Sequence, residues 1–451
     1  MRKRRKNSQK NSERIENIHK TNKKVSPKTK FKPRFYSEKV LASYSLKYDK
    51  YRRFWIYDND AGIWKNGAEV RLNSILRKDI LGSNDYKRYC VGEILEDLKG
   101  LTLVNEQLEE PPAHLIPLQN KIYDLDSGKF LDYQPDYFFI NKLPVEINTK
   151  NRKCPTIEKI LSQLVRPEDV ITLYEILAYV LYRDYPYPKL FIVYGEGGNG
   201  KTTYVRIMER IIGVDNISSV SLNDLQYNRF ASSELFGKLA NVSGEMDYDV
   251  LKKTSKLKQC CGQDLITCER KFRQPFPFRN HTKMIFLTNE VPPTEDKTVA
   301  FYRRPFLVEF PNKFIIGKNA DPMIVEKISQ EEFEGLAWKC LKVLKKLRKR
   351  DFVFSRHQAT QDVAKQYEEL SNPLDKFLNE KTERDIDDHI LKGKFNERFM
   401  AYLAENRFRM WTAHKIGKAM YEKGFGEELI SVLKKNGKHS TARAWVGIKW
   451  K

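Results

Sequence analysis

The middle of the chain passes from an apolar run to a glycine-rich segment and then to a helical pattern. Residues 190–194 (Leu-Phe-Ile-Val-Tyr) are continuously apolar, as in a strand buried on both faces. Residues 195–200 contain four glycines, and apolar residues recur at three- and four-residue spacing from 204 to 212. This order predicts a strand, a tight loop and a helix.

Similar patterns predict further elements on both sides of this segment. Strand-like residues flank a turn within residues 51–64 and again within residues 120–131, which predicts two β-hairpins. Apolar residues at helical spacing predict helices over residues 91–99, 156–164, 167–182 and 331–350.

Residues 373–451 have the pattern of a separate small domain. Its predicted elements are helices over 373–380, 395–405 and 412–423 and an alternating strand over 443–450. Three helices with a terminal hairpin predict a winged helix, with Lys415 and Lys418 of the third helix facing DNA. A winged helix that contacts protein instead is the alternative.

The glycine-rich segment has the pattern G-x-x-x-x-G-K-T. Glycines tolerate positive φ, so backbone N–H groups can converge on an anion at the N-terminus of the following helix. We expect Lys201 to contact the β and γ phosphates of ATP and Thr202 to ligate Mg²⁺. A glycine-rich turn that matches by chance is the alternative. The other residues predicted to bind the nucleotide are Gly195, Glu196, Gly197, Gly198, Asn199, Gly200 and Thr203.

Charge points to nucleic acid as the partner. The chain has 82 Lys and Arg against 59 Asp and Glu, a net charge of +23. Residues 1–34 hold 14 basic and 2 acidic residues, so 14 − 2 = +12 lies there. This segment has few apolar residues, and we expect a disordered tail. It could bind nucleic acid, direct localisation or only aid solubility.

Cysteine usage and hydropathy indicate a soluble, intracellular protein. None of the six cysteines forms a C-x-x-C pair or has a histidine at zinc-ligand spacing, so we expect reduced thiols and no structural zinc. No apolar run approaches the ~20 residues that span a bilayer, and a signal-peptide core is not evident.

A second acidic motif is expected where a short apolar strand within residues 238–247 ends in acids. Mg²⁺ and the attacking water need carboxylates at the tip of the strand beside the phosphate-binding strand. Glu245 is the best candidate for this role and for a metal ligand, with Asp247 second. Ordinary loop acids are the alternative.

Three further features are candidates for catalysis or DNA contact. A turn and strand that end in Arg270 and Lys271, beside Phe272, suit a phosphate backbone, although a solvated hairpin is possible. Asn289 follows a buried-type strand, where its amide can sense the γ-phosphate or only cap the strand. The adjacent Arg303 and Arg304 suit a finger that enters a neighbour's ATP site, or form a surface pair.

Taken in order, these motifs resemble superfamily 3 helicases, in the branch of phage and plasmid primase-helicases and primase-helicases of large DNA viruses. The resemblance covers roughly residues 45 to 450. The segments that carry it are GEGGNGKT at 195–202, NVSGE at 241–245, GQDLIT at 262–267 with Arg270 and Lys271, FLTNEVPP at 286–293 and FYRR at 301–304.

The resemblance implies an AAA+-like core that forms a ring, most often a homo-hexamer, with ATP between subunits. Glu245 would activate water, Asn289 would be the sensor, and Arg304, with Arg303 as reserve, would be the finger. The hairpin that carries Lys271 would pull single-stranded DNA, usually 3′ to 5′. Single-stranded and forked DNA, and a separate primase or polymerase, are the implied partners.

Two departures from the family pattern stand out. The family often has two adjacent acids in the second motif, whereas here the pair is Gly244-Glu245. The acid that usually completes the Mg²⁺ shell is therefore missing from this position, and Asp247 is the candidate substitute. Many relatives also carry an N-terminal polymerase-like primase domain; about 150 residues are too short for one, so we expect no primer synthesis.

The predicted fold is α/β: an AAA+-like P-loop core between an N-terminal α+β domain and a C-terminal winged-helix-like domain. The predicted segments are a basic tail (1–34), the α+β domain (35–154), a helical collar or linker (155–186), the ATPase core (187–315), a helical lid region (316–372) and the winged helix (373–451). The predicted function is an ATP-dependent replicative DNA helicase of a virus, phage or plasmid-like element. An origin-binding or loading ATPase that remodels DNA without processive unwinding is the alternative, and a small-molecule kinase fits the charge and extra domains poorly.

Overall fold

The computed structural model describes residues 31–80, 87–147, 152–244, 251–406, 408, 410–433 and 439–451. Glu245 and Asp247 lie outside the described residues. The chain divides into a smaller compact unit, up to residue 60 and from 64 to 108, and a larger one, 61–63 and 109–451. The division at 108 falls inside the predicted N-terminal domain.

The smaller unit is a mixed sheet with helices. Its sheet has the order β3-β2-β1-β4, with β1 antiparallel to β2 and parallel to β4. The elements are α1 (Pro33–Ser43), β1 (Leu46–Asp49), β2 (Phe54–Asp58), β3 (Ile63–Asn66), α2 (Ala68–Ile75), a π-helical turn (Leu76–Ile80), α3 (Arg88–Leu101) and β4 (Leu103–Val104). Val40, Phe54, Leu72 and Ile94 lie in its core. The first predicted hairpin corresponds to β2 and β3.

The larger unit begins with a small antiparallel sheet and two helices. The second predicted hairpin corresponds to β6 and β7. The elements are β5 (Leu115–Pro117), β6 (Ile122–Asp124), β7 (Phe130–Leu131), α4 (Pro155–Leu164) and α5 (Val170–Val180). Helix α5 is apolar around most of its circumference, and its residues from 172 to 180 are all buried.

Five parallel strands form the central sheet in the order β14-β8-β13-β10-β9. They are β8 (Leu190–Tyr194), β9 (Ile217–Ser218), β10 (Ala240–Ser243), β13 (Lys283–Thr288) and β14 (Pro305–Glu309). The carboxyl ends of parallel strands meet at one edge, where open α/β sheets bind ligands. The sequence suggested that β10, the strand of the second acidic motif, lies beside β8. Instead, β13, which comes later in the chain, lies between them.

Helices and one hairpin surround this sheet. They are α6 (Lys201–Ile212), α7 (Leu222–Tyr227), α8 (Ser255–Cys260), hairpin strands β11 (Leu265–Cys268) and β12 (Phe276–Arg279), α9 (Val299–Tyr302), α10 (Gln330–Lys349) and α11 (Thr360–Ser371). Among the described helices, none combines the length and apolar character needed to cross a membrane.

The C-terminal part contains the three predicted helices and the predicted last strand. Its elements are α12 (Pro373–Lys381), β15 (Thr382–Leu391), α13 (Lys392–Glu405), α14 (Ala413–Glu422), β16 (Gly426–Leu433) and β17 (His439–Trp450). Phe377, Phe399, Met420 and Trp445 pack in its core. Strand β15 was not predicted because most of its side chains are exposed, which leaves no alternating pattern.

Candidate functional site

The glycine-rich loop connects β8 to α6, as predicted, and is tightly packed. Gly195, Gly198 and Gly200 have φ angles of 154°, 75° and 83°. A Cβ atom on Gly195 would lie 2.1 Å from the Asn199 Nδ2 atom and 2.5 Å from the Phe310 carbonyl oxygen. Asn199 is buried and donates to that carbonyl at 3.0 Å. The loop is therefore locked to the segment that follows β14, and only glycine fits at 195.

Lys201 lies at the start of α6 with its ammonium turned back into the loop. Its Nζ donates to the Gly195 carbonyl at 2.6 Å and to the Asn199 and Asn289 side-chain oxygens at 3.0 Å each. Burial lowers the pKa of Lys201 to about 8. These partners are uncharged oxygens, which an anionic phosphate could replace as ligands of the ammonium.

Asn289 is brought to Lys201 by the sheet register. Strand β13 lies beside β8 with Thr288 opposite Tyr194, so the residue after each strand is at the same edge. The Thr288 hydroxyl accepts from the Glu290 backbone N–H at 3.1 Å and also donates to the Glu290 carbonyl. This small hydrogen-bonded turn fixes the backbone on which Asn289 is carried.

A cavity of about 940 Å³ opens at this edge. Its polar lining comes from residues 197–203, Gly244 and Asn289, and its apolar lining includes Ile160, Leu164, Phe314 and Ile316. A cavity of this size and lining can hold a small-molecule ligand that has both polar and apolar groups.

The segment of residues 314–324 lines much of this cavity, although no sequence pattern indicated it. Its Phe314 N–H donates to the Gly198 carbonyl at 2.7 Å, so it is tied directly to the glycine loop. It is irregular and has no hydrophobic period. Only its proximity in the chain to β14 could have indicated a role.

The two arginines differ in exposure. Arg304 is 7% exposed and donates to the Ala300 carbonyl at 2.7 Å, whereas Arg303 is exposed. The Arg304 carbonyl accepts from Leu190 N–H at the start of β8, so both arginines lie at the edge opposite the glycine loop. This position separates both arginines from the Lys201 site of their own chain, and only Arg303 of the two is exposed.

The predicted basic hairpin is formed by antiparallel β11 and β12. Arg270, Lys271, Phe272 and Arg273 occupy its tip, and the Phe272 ring is fully exposed. The tip borders a depression of about 430 Å³ that Arg229 and Phe230 also line. The tip thus combines a cationic surface with a bare aromatic face.

Lys415 and Lys418 of α14 point to different surroundings. Lys418 is exposed, and its Nζ is 4.0 Å from Glu422. The Lys415 Nζ lies 3.2 Å from Glu290 Oε2 and 4.2 Å from the centre of the buried Trp411 ring. Instead of the DNA-facing position that the sequence suggested, Lys415 is held by Glu290, which follows β13 of the central sheet, and by Trp411.

Two family models match the chain, and one of them covers the glycine loop, Asn289 and both arginines. Residues 193–304 match a family described as "Family of unknown function (DUF5906)", and residues 44–166 match one described as "D5 N terminal like". A protein of Acanthamoeba polyphaga mimivirus named "Putative helicase" is 25% identical over 315 residues. These matches support a resemblance to phage and viral primase-helicases.

The match to the mimivirus protein is partial in length. It covers 63% of the chain, which spans only 32% of the mimivirus protein. Two apo structures of the NrS-1 C-terminal region are 16% identical to the chain, with TM-scores of 0.49 and 0.47. Each covers 93% of the chain, and the chain covers 100% of each.

Proposed function

We propose that the chain is an ATP-dependent replicative DNA helicase of superfamily 3, from a virus, phage or plasmid-like element. One observation carries the proposal: Lys201 and Asn289 meet inside a glycine loop at the carboxyl edge of a parallel sheet, beside a nucleotide-sized cavity. The Lys201 ammonium and the Asn289 amide lie within hydrogen-bonding distance of each other, so both could bind the same terminal phosphate.

The loop residues fit a bound ATP–Mg²⁺ by their local geometry. The space that a Cβ would fill at Gly195 is used by Asn199, so the backbone curls tightly around the Lys201 ammonium. Lys201 would exchange its carbonyl partners for the β and γ phosphates, and the Thr202 hydroxyl would ligate the metal. When bound, Mg²⁺ supplies charge neutralisation on the phosphates. We assign Glu245, with Asp247 as second candidate, to the metal and the attacking water.

Hydrolysis would be completed by a neighbouring subunit in a homo-hexameric ring. The arginines lie at the sheet edge opposite their own glycine loop, which suits action in trans. Because Arg303 is exposed and Arg304 is buried, we propose Arg303 as the finger and Arg304 as its support.

The tip of the β11–β12 hairpin is the proposed contact with single-stranded DNA. Arg270 and Lys271 would hold phosphates, and the exposed Phe272 ring offers a stacking face. We propose 3′ to 5′ translocation on a forked substrate, the usual polarity of the superfamily 3 helicases that the chain resembles. A separate primase or polymerase would extend the unwound strands.

The nucleotide site is tested by Lys201→Ala, with the exposed Lys346→Ala on α10 as control. We expect Lys201→Ala to abolish ATP hydrolysis and Lys346→Ala to retain it. Retained turnover in Lys201→Ala would refute the assignment. Strand displacement on a forked substrate separates the helicase from an origin-binding or loading ATPase, which would hydrolyse ATP without unwinding.

A further inference from the structure

One ion pair joins the C-terminal part of the chain to the candidate ATP site. Lys415 of α14 and Glu290 lie 3.2 Å apart, with their side chains 33% and 13% exposed. Glu290 directly follows Asn289, so the pair ends one residue from the predicted sensor. The Trp411 ring, 4.2 Å from the Lys415 ammonium, adds a cation–π contact that holds the lysine in place.

Glu290 also lines the space around the glycine loop. It borders the 940 Å³ cavity and a second one of about 880 Å³ that lies between the loop and the C-terminal part. Three other ion pairs lie along the second cavity: Arg166 with Glu309 at 2.7 Å, Lys376 with Glu369 at 3.5 Å and Lys313 with Glu196 at 4.0 Å. Glu405 also lines it. The charge of Glu290 is balanced by Lys415.

Removal of the Lys415 charge would leave Glu290 unneutralised beside the proposed phosphate site. A carboxylate without its cation, next to Asn289, would repel the phosphates of ATP and attract the Lys201 ammonium that should bind them. The pair is mostly shielded from water, so screening by solvent is weaker than at the surface. Neutralising Glu290 would remove this effect even when Lys415 is absent.

We propose that Lys415 is a positioning residue of the ATP site, which neutralises Glu290 and thereby keeps Lys201 and Asn289 available for the phosphates. The inference rests on the proposed nucleotide site. It gives α14 an indirect role in ATP binding, through a lysine that the sequence pattern had indicated as a DNA contact.

The test is a set of variants in the full chain: Lys415→Gln, Lys415→Arg, Glu290→Gln and the double variant Lys415→Gln/Glu290→Gln. Lys418→Gln, an exposed lysine on the same helix, is the matched control. The readouts are equilibrium binding of a fluorescent ATP analogue and the KM and kcat for ATP. Thermal unfolding of each variant checks that it folds.

We expect Lys415→Gln to weaken analogue binding and raise KM by about tenfold, with kcat changed by less than about threefold. Lys415→Arg and the double variant should bind within about threefold of the unchanged protein, and Lys418→Gln should match it. Rescue by removing the Glu290 charge is the distinguishing result, because a packing role for Lys415 would not be restored by it.

Two results would overturn the inference. If Lys415→Gln binds the analogue as tightly as Lys418→Gln does, the Lys415–Glu290 pair does not support ATP binding. Failure of the double variant to recover would show that the Glu290 charge is not the cause. If the unchanged protein binds the analogue, either result leaves the proposed function standing; if it binds none, the proposed function itself fails.

Discussion

Gly195→Ala is the substitution with the most specific structural consequence in the glycine loop. The added Cβ would lie 2.1 Å from the Asn199 Nδ2 atom and 2.5 Å from the Phe310 carbonyl oxygen. The first contact displaces a side chain that bonds the same carbonyl, and the second is with backbone. The φ angle of 154° adds strain for any residue with a Cβ.

The loss of folding stability that we expect in Gly195→Ala is the sum of three contributions. Unfavourable φ costs about 1–2 kcal/mol. Forcing a Cβ into filled space costs about 1–3 kcal/mol. Loss of the buried Asn199 hydrogen bond costs about 1 kcal/mol. Together they predict a loss of folding stability of about 3–6 kcal/mol, which the loop can relieve only by moving away from the shape proposed to bind phosphate.

Gly197→Ala is the matched control in the same loop. A Cβ atom on Gly197 would meet none of the described residues within 4 Å, and the φ angle of Gly197 is not positive. We therefore expect the Gly197→Ala substitution to change the free energy of unfolding by less than about 0.5 kcal/mol. The assays are thermal unfolding and binding of a fluorescent ATP analogue. Gly195→Ala should unfold at lower temperature and lose nucleotide binding, while Gly197→Ala keeps both. Equal behaviour of the two variants would refute the packing argument for the loop.

Three further predictions concern charge and the DNA contacts. A bound phosphate favours the Lys201 ammonium and raises its pKa above about 8, so ATP affinity should be highest below pH 8 and fall by up to about tenfold per pH unit above it. Calorimetry across this range should detect proton uptake on binding, and a pH-independent affinity would contradict the role of Lys201. Lys271→Ala and Phe272→Ala should keep basal ATPase but lose stimulation by single strands, and normal unwinding by both would remove the hairpin from the mechanism. Arg303→Ala should bind ATP without turnover and regain part of it when mixed with Lys201→Ala subunits, whereas Arg304→Ala should mainly lower the unfolding temperature; no recovery in the mixture would argue against a finger in trans.

Local patterns were sufficient to predict the elements that carry the glycine loop and the C-terminal helices. The apolar run of β8, the glycines and the periodic α6 each determine their own conformation over a few residues. The basic hairpin was also evident, because its turn and charged tip are contiguous in the sequence.

Contacts between segments that are distant in the sequence could not be predicted from local patterns. The order of strands depends on how β13 inserts between β8 and β10, which no local pattern records. The burial of Arg304 beneath α9 and the pairing of Lys415 with Glu290 likewise depend on tertiary packing. In α14, Lys415 and Lys418 are three residues apart and looked equivalent, yet only the former reaches the core.

The most direct test of the helicase proposal is the ATPase rate with and without single-stranded DNA, on a sample whose mass is measured by light scattering with Mg²⁺ and ATP. The proposal predicts a ring-sized mass and hydrolysis that single strands stimulate. A monomer whose hydrolysis ignores DNA would contradict it and leave only a nucleotide site at Lys201.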